Sequence, residues 1–388
     1  MNRTQSSIEL GDVVRRFGPA YIKNQGERLL SSHRKALQDI MTCHTAEKGG
    51  NRYHCNDCGE DFWVYHGCGN RSCPSCHTKK MREWIDKREE QMLGCRYFHV
   101  VVTVPENIRS AFLGNQKLLY GLLMKTVSSC VSDLVRDPKF VGAKAAILAV
   151  LHTWKSDLGY HPHVHLLVSA GGVSDDGQHW IEPRSKKWLL PVKALSKLVR
   201  RRFRACLEKS EPEVFETIDD TVWKQGWNSC SIPYGKGAKA VLNYLGRYVY
   251  RIAITNNRIV AMDDTHVTFR YKTSKEKRWR TMRLRGDEFL RRFVMHVLPR
   301  GFHKVRYYGL WHHSQRKIRY RIRLLLAPHI KQPKLDEFPD VFSSTDDESI
   351  LPESEQSTPE EASPLPVCPK CKSRNVQLME TRNHNRSP

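Results

Sequence analysis

Three histidines stand at alternate positions in "GYHPHVHLLVSAGG", residues 159–172. The run "HLLVS" reads as a strand, and alternate side chains of a strand share a face. His163 and His165 therefore point the same way, opposite Val164. Two imidazoles on one rigid face suit a metal ion, and they equally suit a wet face of a sheet; the spacing alone leaves both readings open. His152 closes the preceding strand-like run "AKAAILAVLHTW", and the loop "KSDLGYHP" makes a hairpin between the two. Across that hairpin His152 can approach His163 and His165. Three neutral imidazoles would hold a divalent cation and leave positions open for a substrate. His161 has the same parity but precedes Pro162 at the strand entrance, so it ranks below His152.

A second set of reactive groups follows in "GKGAKAVLNYLGRYVYRIAI", residues 235–254. Val241, Leu242, Leu245 and Val249 fit a helix, and Tyr244 and Tyr248, at i and i+4, lie on one face of it. Most such pairs are core or surface aromatics. A phenol has a pKa near 10 and attacks poorly at neutral pH; a metal on the adjacent phosphate, with Arg247 and Arg251 alongside, makes it competent.

The third set is cysteine. "YHCNDCGEDFWVYHGCGNRSCPSCHTKK" carries Cys55-x-x-Cys58 and Cys73-x-x-Cys76, and each pair can grip zinc from a tight turn. This spacing is that of a zinc ribbon, with "EDFWVY" as a strand between the pairs. Cys43, Cys68 and His77 are further ligand candidates; whether Cys43 and Cys68 complete a second site or are buried thiols stays open. Cys368 and Cys371 supply only half a site and are left out of the ligand set.

The elements that must position these groups can be read from periodicity. A buried strand is expected over 97–104, stopped by Pro105, and an amphipathic helix over 117–136. "TKKMREWIDKREEQML" reads as a charged helix after the ribbon, whose expected job is to present Arg and Lys to DNA. "KLVRRRFRA" reads as a helix with a cationic face. "TFRYKTSKEKRWRTMRLRGDEF", 268–289, reads as a hairpin in which cations alternate with Tyr271 and Trp279, a mixture that suits single-stranded nucleic acid. Residues 335–367 hold ten Asp and Glu and neither Lys nor Arg. Such a composition predicts disorder.

The chain of 388 residues has a net charge of +23, and the rest stands at +33 without that acidic stretch. The excess favours a polyanionic partner. No apolar run reaches the ~20 residues of a membrane span, and the first residues lack the apolar core of a signal peptide. These features predict a cytoplasmic chain without a membrane partner, whose cysteines serve as metal ligands or buried thiols and not as disulfides.

His163-Val164-His165 resembles the histidine–hydrophobic–histidine (HUH) motif of single-strand endonucleases, and Tyr244-x-x-x-Tyr248 resembles their two-tyrosine motif. The words "LHTWKSDLGYHPHVHLLV", "YLGRYVYRIAI", "RRFVMHVLPRGFHKVRYYGLW" and "NRSCPSC" are similar to rolling-circle transposases of the insertion-sequence-ninety-one family, from about residue 20 to 330. The resemblance implies a bacterial, nucleoid-associated DNA transposase. Such an enzyme nicks a single strand at the transposon ends and target, forms a 5′-phosphotyrosine link and frees a 3′-hydroxyl. It implies His163 and His165 as ligands of Mg²⁺ or Mn²⁺ and Tyr244 and Tyr248 as nucleophiles; His152 as third ligand is read from the hairpin.

The expected fold is α+β: a zinc-ribbon domain with structural Zn²⁺ on Cys55, Cys58, Cys73 and Cys76 (1–94), an HUH core of antiparallel sheet with helices (95–330), and an acidic linker with a short Cys-x-x-Cys tail (331–388). A plasmid replication initiator or relaxase shares the chemistry. A non-catalytic zinc-finger DNA-binding protein would form no phosphotyrosine adduct, and a metallohydrolase would not need Tyr244 or Tyr248.

Overall fold

In a computed structural model of the chain, the residues described are 8–76, 91–185, 189–234, 249, 252–273, 278–326 and 365–383. They form two compact units, Met1–Met41 with Gly69–Pro328, and Thr42–Cys68 with His329–Pro388. The units do not follow chain order, and so differ from the divisions expected at 94 and 330. Buried apolar faces give the reason for the first unit. The helix Leu10–Gln25 buries Leu10, Val13, Val14 and Tyr21. It packs against the helix Gly286–Val294, where a Cβ on Gly286 would lie 2.2 Å from Phe17. Arg71, of the "NRSC" word, gives its guanidinium to the carbonyls of Leu298, Pro299 and Phe302 at 2.7 Å. That arginine is spent on structure.

The centre of the first unit is a five-stranded antiparallel sheet. Its strands are β3 (Tyr97–Thr103), β4 (Ala146–Trp154), β5 (Tyr160–Ser169), β8 (Asn228–Tyr234) and β12 (Val305–Gly309), in the order β12-β4-β5-β3-β8. Near-continuous apolar runs in β3 and β4 mark strands covered on both faces. One face presents Phe98, Val100, Val102, Ile147, Ala149, Leu151, Val164, Leu166 and Val168. The helices Gln116–Arg136 and Val192–Ser210 cover that face; the second inserts Leu195, Val199, Phe203 and Leu207, one per turn. Gln116–Arg136 is the one described helix long and apolar enough to cross a bilayer. Its apolar side is occupied by the sheet: Leu119, Leu123, Val127 and Val131 are fully buried in this core.

The opposite face carries Tyr97, Leu148, Val150 and Leu167, packed against Leu310, Trp311 and Ile322. The histidines lie on this face. β6 (Gly172–Val173) and β7 (Trp180–Ile181) form a short pair after β5, and β9 (Ile259–Met262), β10 (His266–Lys272) and β11 (Trp279–Arg285) form a three-stranded antiparallel sheet. The basic hairpin read at 268–289 is β10–β11, and Gly286 already begins the next helix.

In the second unit β1 (Gly49–Cys55) lies between β2 (Asp61–Tyr65) and β13 (Val376–Asn383). The tail expected to be a short appendage is thus a strand, antiparallel to β1 from Gly49↔Asn383 to Cys55↔Val376. The rest of the acidic stretch, residues 335–364, and the helix expected after the ribbon, through residue 90, lie outside the described residues.

Candidate functional site

The register of the central sheet decides which histidines meet. His152 on β4 lies directly opposite His163 on β5, and Val150 lies opposite His165. Residues opposite one another across an antiparallel pair share a face. His152, His163 and His165 accordingly converge, with one ring nitrogen of each within 4.8 Å of the others. The ring centroid of His152 lies 4.5 Å from that of His165, and those of His163 and His165 are 4.7 Å apart. His152 is buried and the other two are half-buried, so the group opens outward on one side. A register shift between His152 and Trp154 kinks β4, and the Trp154 ring stacks on His152 at 4.6 Å. His161 belongs to β5 and not to its approach, but it stays outside the three-nitrogen group.

Hydrogen bonding fixes how the two β5 imidazoles present themselves. His163 Nδ1 lies 2.7 Å from the carbonyl oxygen of His161. A carbonyl only accepts, so Nδ1 carries the proton and Nε2 keeps its lone pair. His165 Nδ1 lies 2.9 Å from Nε2 of His99. When Nδ1–H of His165 donates there, its Nε2 also keeps its lone pair. His99, buried on β3, is held neutral because burial first, and then the neighbouring His163, lower its pKa to about 4. The donor set is therefore three nitrogens on rigid strands, two of them oriented from behind, and it fits a divalent cation with open positions.

Sequence reading missed His99. Its parity in "YFHVVVTV" was visible, but only the strand order, with β3 beside β5, brings it to His165.

The cysteines regroup. Cys55 and Cys58 do not gather with Cys73 and Cys76, as the ribbon spacing predicted. In the second unit their sulfurs meet those of Cys368 and Cys371, all four within 4.8 Å of one another. Local spacing misled because the antiparallel β1–β13 pairing places the ends of both strands, and the two Cys-x-x-Cys turns beside them, together. Cys73 and Cys76 belong to the first unit. Within the second unit the Cys68 amide donates to Cys43 Sγ at 3.3 Å. Tyr244, Tyr248 and His77 lie outside the described residues, as do Arg247 and Arg251.

Two candidate nucleic-acid surfaces are exposed. Lys193, Lys197, Arg201 and Arg204 follow one outer face of Val192–Ser210, whereas Arg202 pairs with Asp133 at 2.6 Å. On β11, Trp279 is 59% exposed, with Arg270 5.7 Å from its ring and Arg278 and Arg280 exposed beside it.

Comparison with known proteins bears on this geometry. The family model described as "Putative transposase" (Y2_Tnp) matches residues 146–318, which include all three clustered histidines. The model described as "Transposase zinc-binding domain" (Zn_Tnp_IS91) matches residues 13–104. "Putative transposase y4qJ" of Sinorhizobium fredii is 38% identical over 322 residues, covering 79% of this chain and 80% of that protein. The chain belongs to the IS91 family of transposases. A second IS91-type relative, "Transposase for insertion sequence element IS801" of Pseudomonas savastanoi, is 25% identical over 71% of this chain and 69% of that protein. No solved structure matches this transposase.

Proposed function

We propose that this IS91-family transposase cuts and rejoins single-stranded DNA through a phosphotyrosine intermediate, with His152, His163 and His165 holding a divalent cation such as Mg²⁺ or Mn²⁺. The observation that carries the reading is the convergence of three imidazole nitrogens on one sheet face, with the His163 Nδ1 proton directed to the His161 carbonyl. The cation, when bound, supplies Lewis-acid stabilisation to a phosphate oxygen.

The chain's own residues do the rest. The exposed cations of Val192–Ser210 and β11 follow the phosphates, and Trp279 offers a face for a base. Tyr244 or Tyr248 attacks phosphorus: a bond forms from the phenol oxygen to phosphorus and the bond to the 3′-oxygen breaks. The phenol proton is released and the 3′-oxygen leaves as a hydroxyl. One phosphodiester replaces another, so no external energy source is needed, as rolling-circle transposition requires. Tyr244 and Tyr248, four residues apart in the chain, can act in turn at the two transposon ends.

Structural zinc belongs to the cysteine-rich region of the transposase, which matches the zinc-binding domain. Replacing His163 and His165 together by alanine tests the cation site. Nicking in Mg²⁺ or Mn²⁺ should be lost while most single-strand binding, which rests on the basic surface, is retained. A double variant that still nicks would refute the ligand assignment.

A further inference from the structure

We infer that Cys55, Cys58, Cys368 and Cys371 bind one zinc ion, so that the last residues of the chain complete a metal site begun more than three hundred residues earlier. The model of the zinc-binding domain ends at residue 104 and does not reach Cys368 or Cys371.

Three observations support the site. The first is distance. Tetrahedral zinc with Zn–S bonds of about 2.3 Å separates its sulfurs by about 3.8 Å. Here Cys55 Sγ lies 3.5 Å from Cys371 Sγ, and Cys58 Sγ lies 3.7 Å from Cys368 Sγ. All four are free thiols.

The second observation is that the two halves repeat one backbone design. In the first, the Gly59 amide donates to the Cys55 carbonyl at 2.8 Å, and the Cys55 amide donates to the Glu60 carbonyl at 2.9 Å. In the second, the Lys372 amide donates to the Cys368 carbonyl at 3.1 Å, and the Cys368 amide donates to the Ser373 carbonyl at 2.8 Å. The residue after each second cysteine is left-handed, with φ of +69° at Gly59 and +63° at Lys372. Lysine rarely accepts that conformation. A turn shaped this way at both places presents two sulfurs to a common point.

The third is what surrounds the sulfurs. The Asp57 carboxylate accepts from Ser373 Oγ at 2.5 Å and from Asn375 Nδ2 at 2.7 Å, and Lys370 pairs with Glu60 at 3.3 Å. Each half thus grips the other. Among the described residues of this unit, Cys55, Cys368 and Val376 form a small buried cluster, with Tyr53, Cys58 and Phe62 packed on it. So small an apolar cluster needs a metal or a cross-link to hold its shape, and here two of its three buried residues, Cys55 and Cys368, are themselves ligands.

The test uses the full-length, zinc-loaded protein. Cys371 and Cys206 are both exposed. Under native alkylation with N-ethylmaleimide, followed by peptide mass spectrometry, Cys206 should react at once while Cys371 and Cys58 stay protected. Stripping zinc with a chelator should make Cys55, Cys58, Cys368 and Cys371 reactive together. Alkylation of Cys371 as fast as Cys206 in the loaded protein would overturn the site.

Zinc content gives a second reading. Cys55→Ser with Cys58→Ser, and Cys368→Ser with Cys371→Ser, should each lose one equivalent per chain, and the fourfold variant should lose the same one. Loss of two equivalents by the fourfold variant, or an unchanged content after changing Cys368 and Cys371, would refute it. Neither readout depends on DNA cleavage, so the result stands apart from the proposed phosphotyrosine chemistry.

Discussion

His99 shows how much of a metal site lies behind its ligands. Its Nε2 stands 2.9 Å from His165 Nδ1, and no other role is needed to explain a buried, neutral imidazole on β3. Replacing it by phenylalanine keeps the ring volume and removes the acceptor. Outer-shell partners of this kind are worth about 10- to 100-fold in metal affinity. His99→Phe should therefore weaken Mn²⁺ binding by about that factor in a calorimetric titration, with the fold kept. Unchanged affinity would make His99 a packing residue. The three ligand candidates themselves were legible from alternation in β5 and from the hairpin to β4. His99 was not, because alternation reports a face and not a neighbour.

At the scale of elements, the β10–β11 hairpin exposes cations beside the aromatic surface of Trp279. Arg280 pairs across from Tyr271, and Trp279 from Lys272. Stacking of one base on an aromatic ring is worth about 1–3 kcal/mol. Trp279→Ala should weaken single-strand binding by about that amount with the salt dependence unchanged. Arg280→Ala should lower the slope of log affinity against log salt by about 0.7. Anisotropy titrations with a labelled oligonucleotide at several salt concentrations distinguish the two, and no change in either variant would move the DNA path off this hairpin. The strand over 97–104, the helix over 117–136 and this hairpin were all readable, because each has a long apolar or alternating pattern of its own. The pairing of β13 with β1 was not: "VQLMETRN" is mostly polar, and its partner lies more than three hundred residues away.

The whole molecule carries buried histidines whose neutrality links folding to pH. His296 is enclosed, with its Nδ1 3.2 Å from Thr153 Oγ1 and its Nε2 3.1 Å from the Leu158 carbonyl. Burial lowers its pKa to about 4, and burial likewise lowers that of His33 to about 4. Unfolded histidine titrates near 6.5. Between those values the unfolded chain binds more protons, so stability is full above about 6.5 and is lost as pH falls toward 4. The loss should approach roughly 3 kcal/mol for each of the two groups. Urea melts across that range check it, and His296→Gln should flatten the acid limb; a melt indifferent to pH from 7 to 4 would contradict the burial.

The proposed function turns on a covalent link between this transposase and DNA. The most direct measurement incubates the purified protein with single-stranded transposon-end oligonucleotides in Mn²⁺, traps the adduct and sequences the linked peptide. The expected result is a 5′-phosphate on Tyr244 or Tyr248, present in at least one of the Tyr244→Phe and Tyr248→Phe variants and absent from the double variant. DNA cleaved without any protein-linked strand, or an adduct that persists in the double variant, would contradict it.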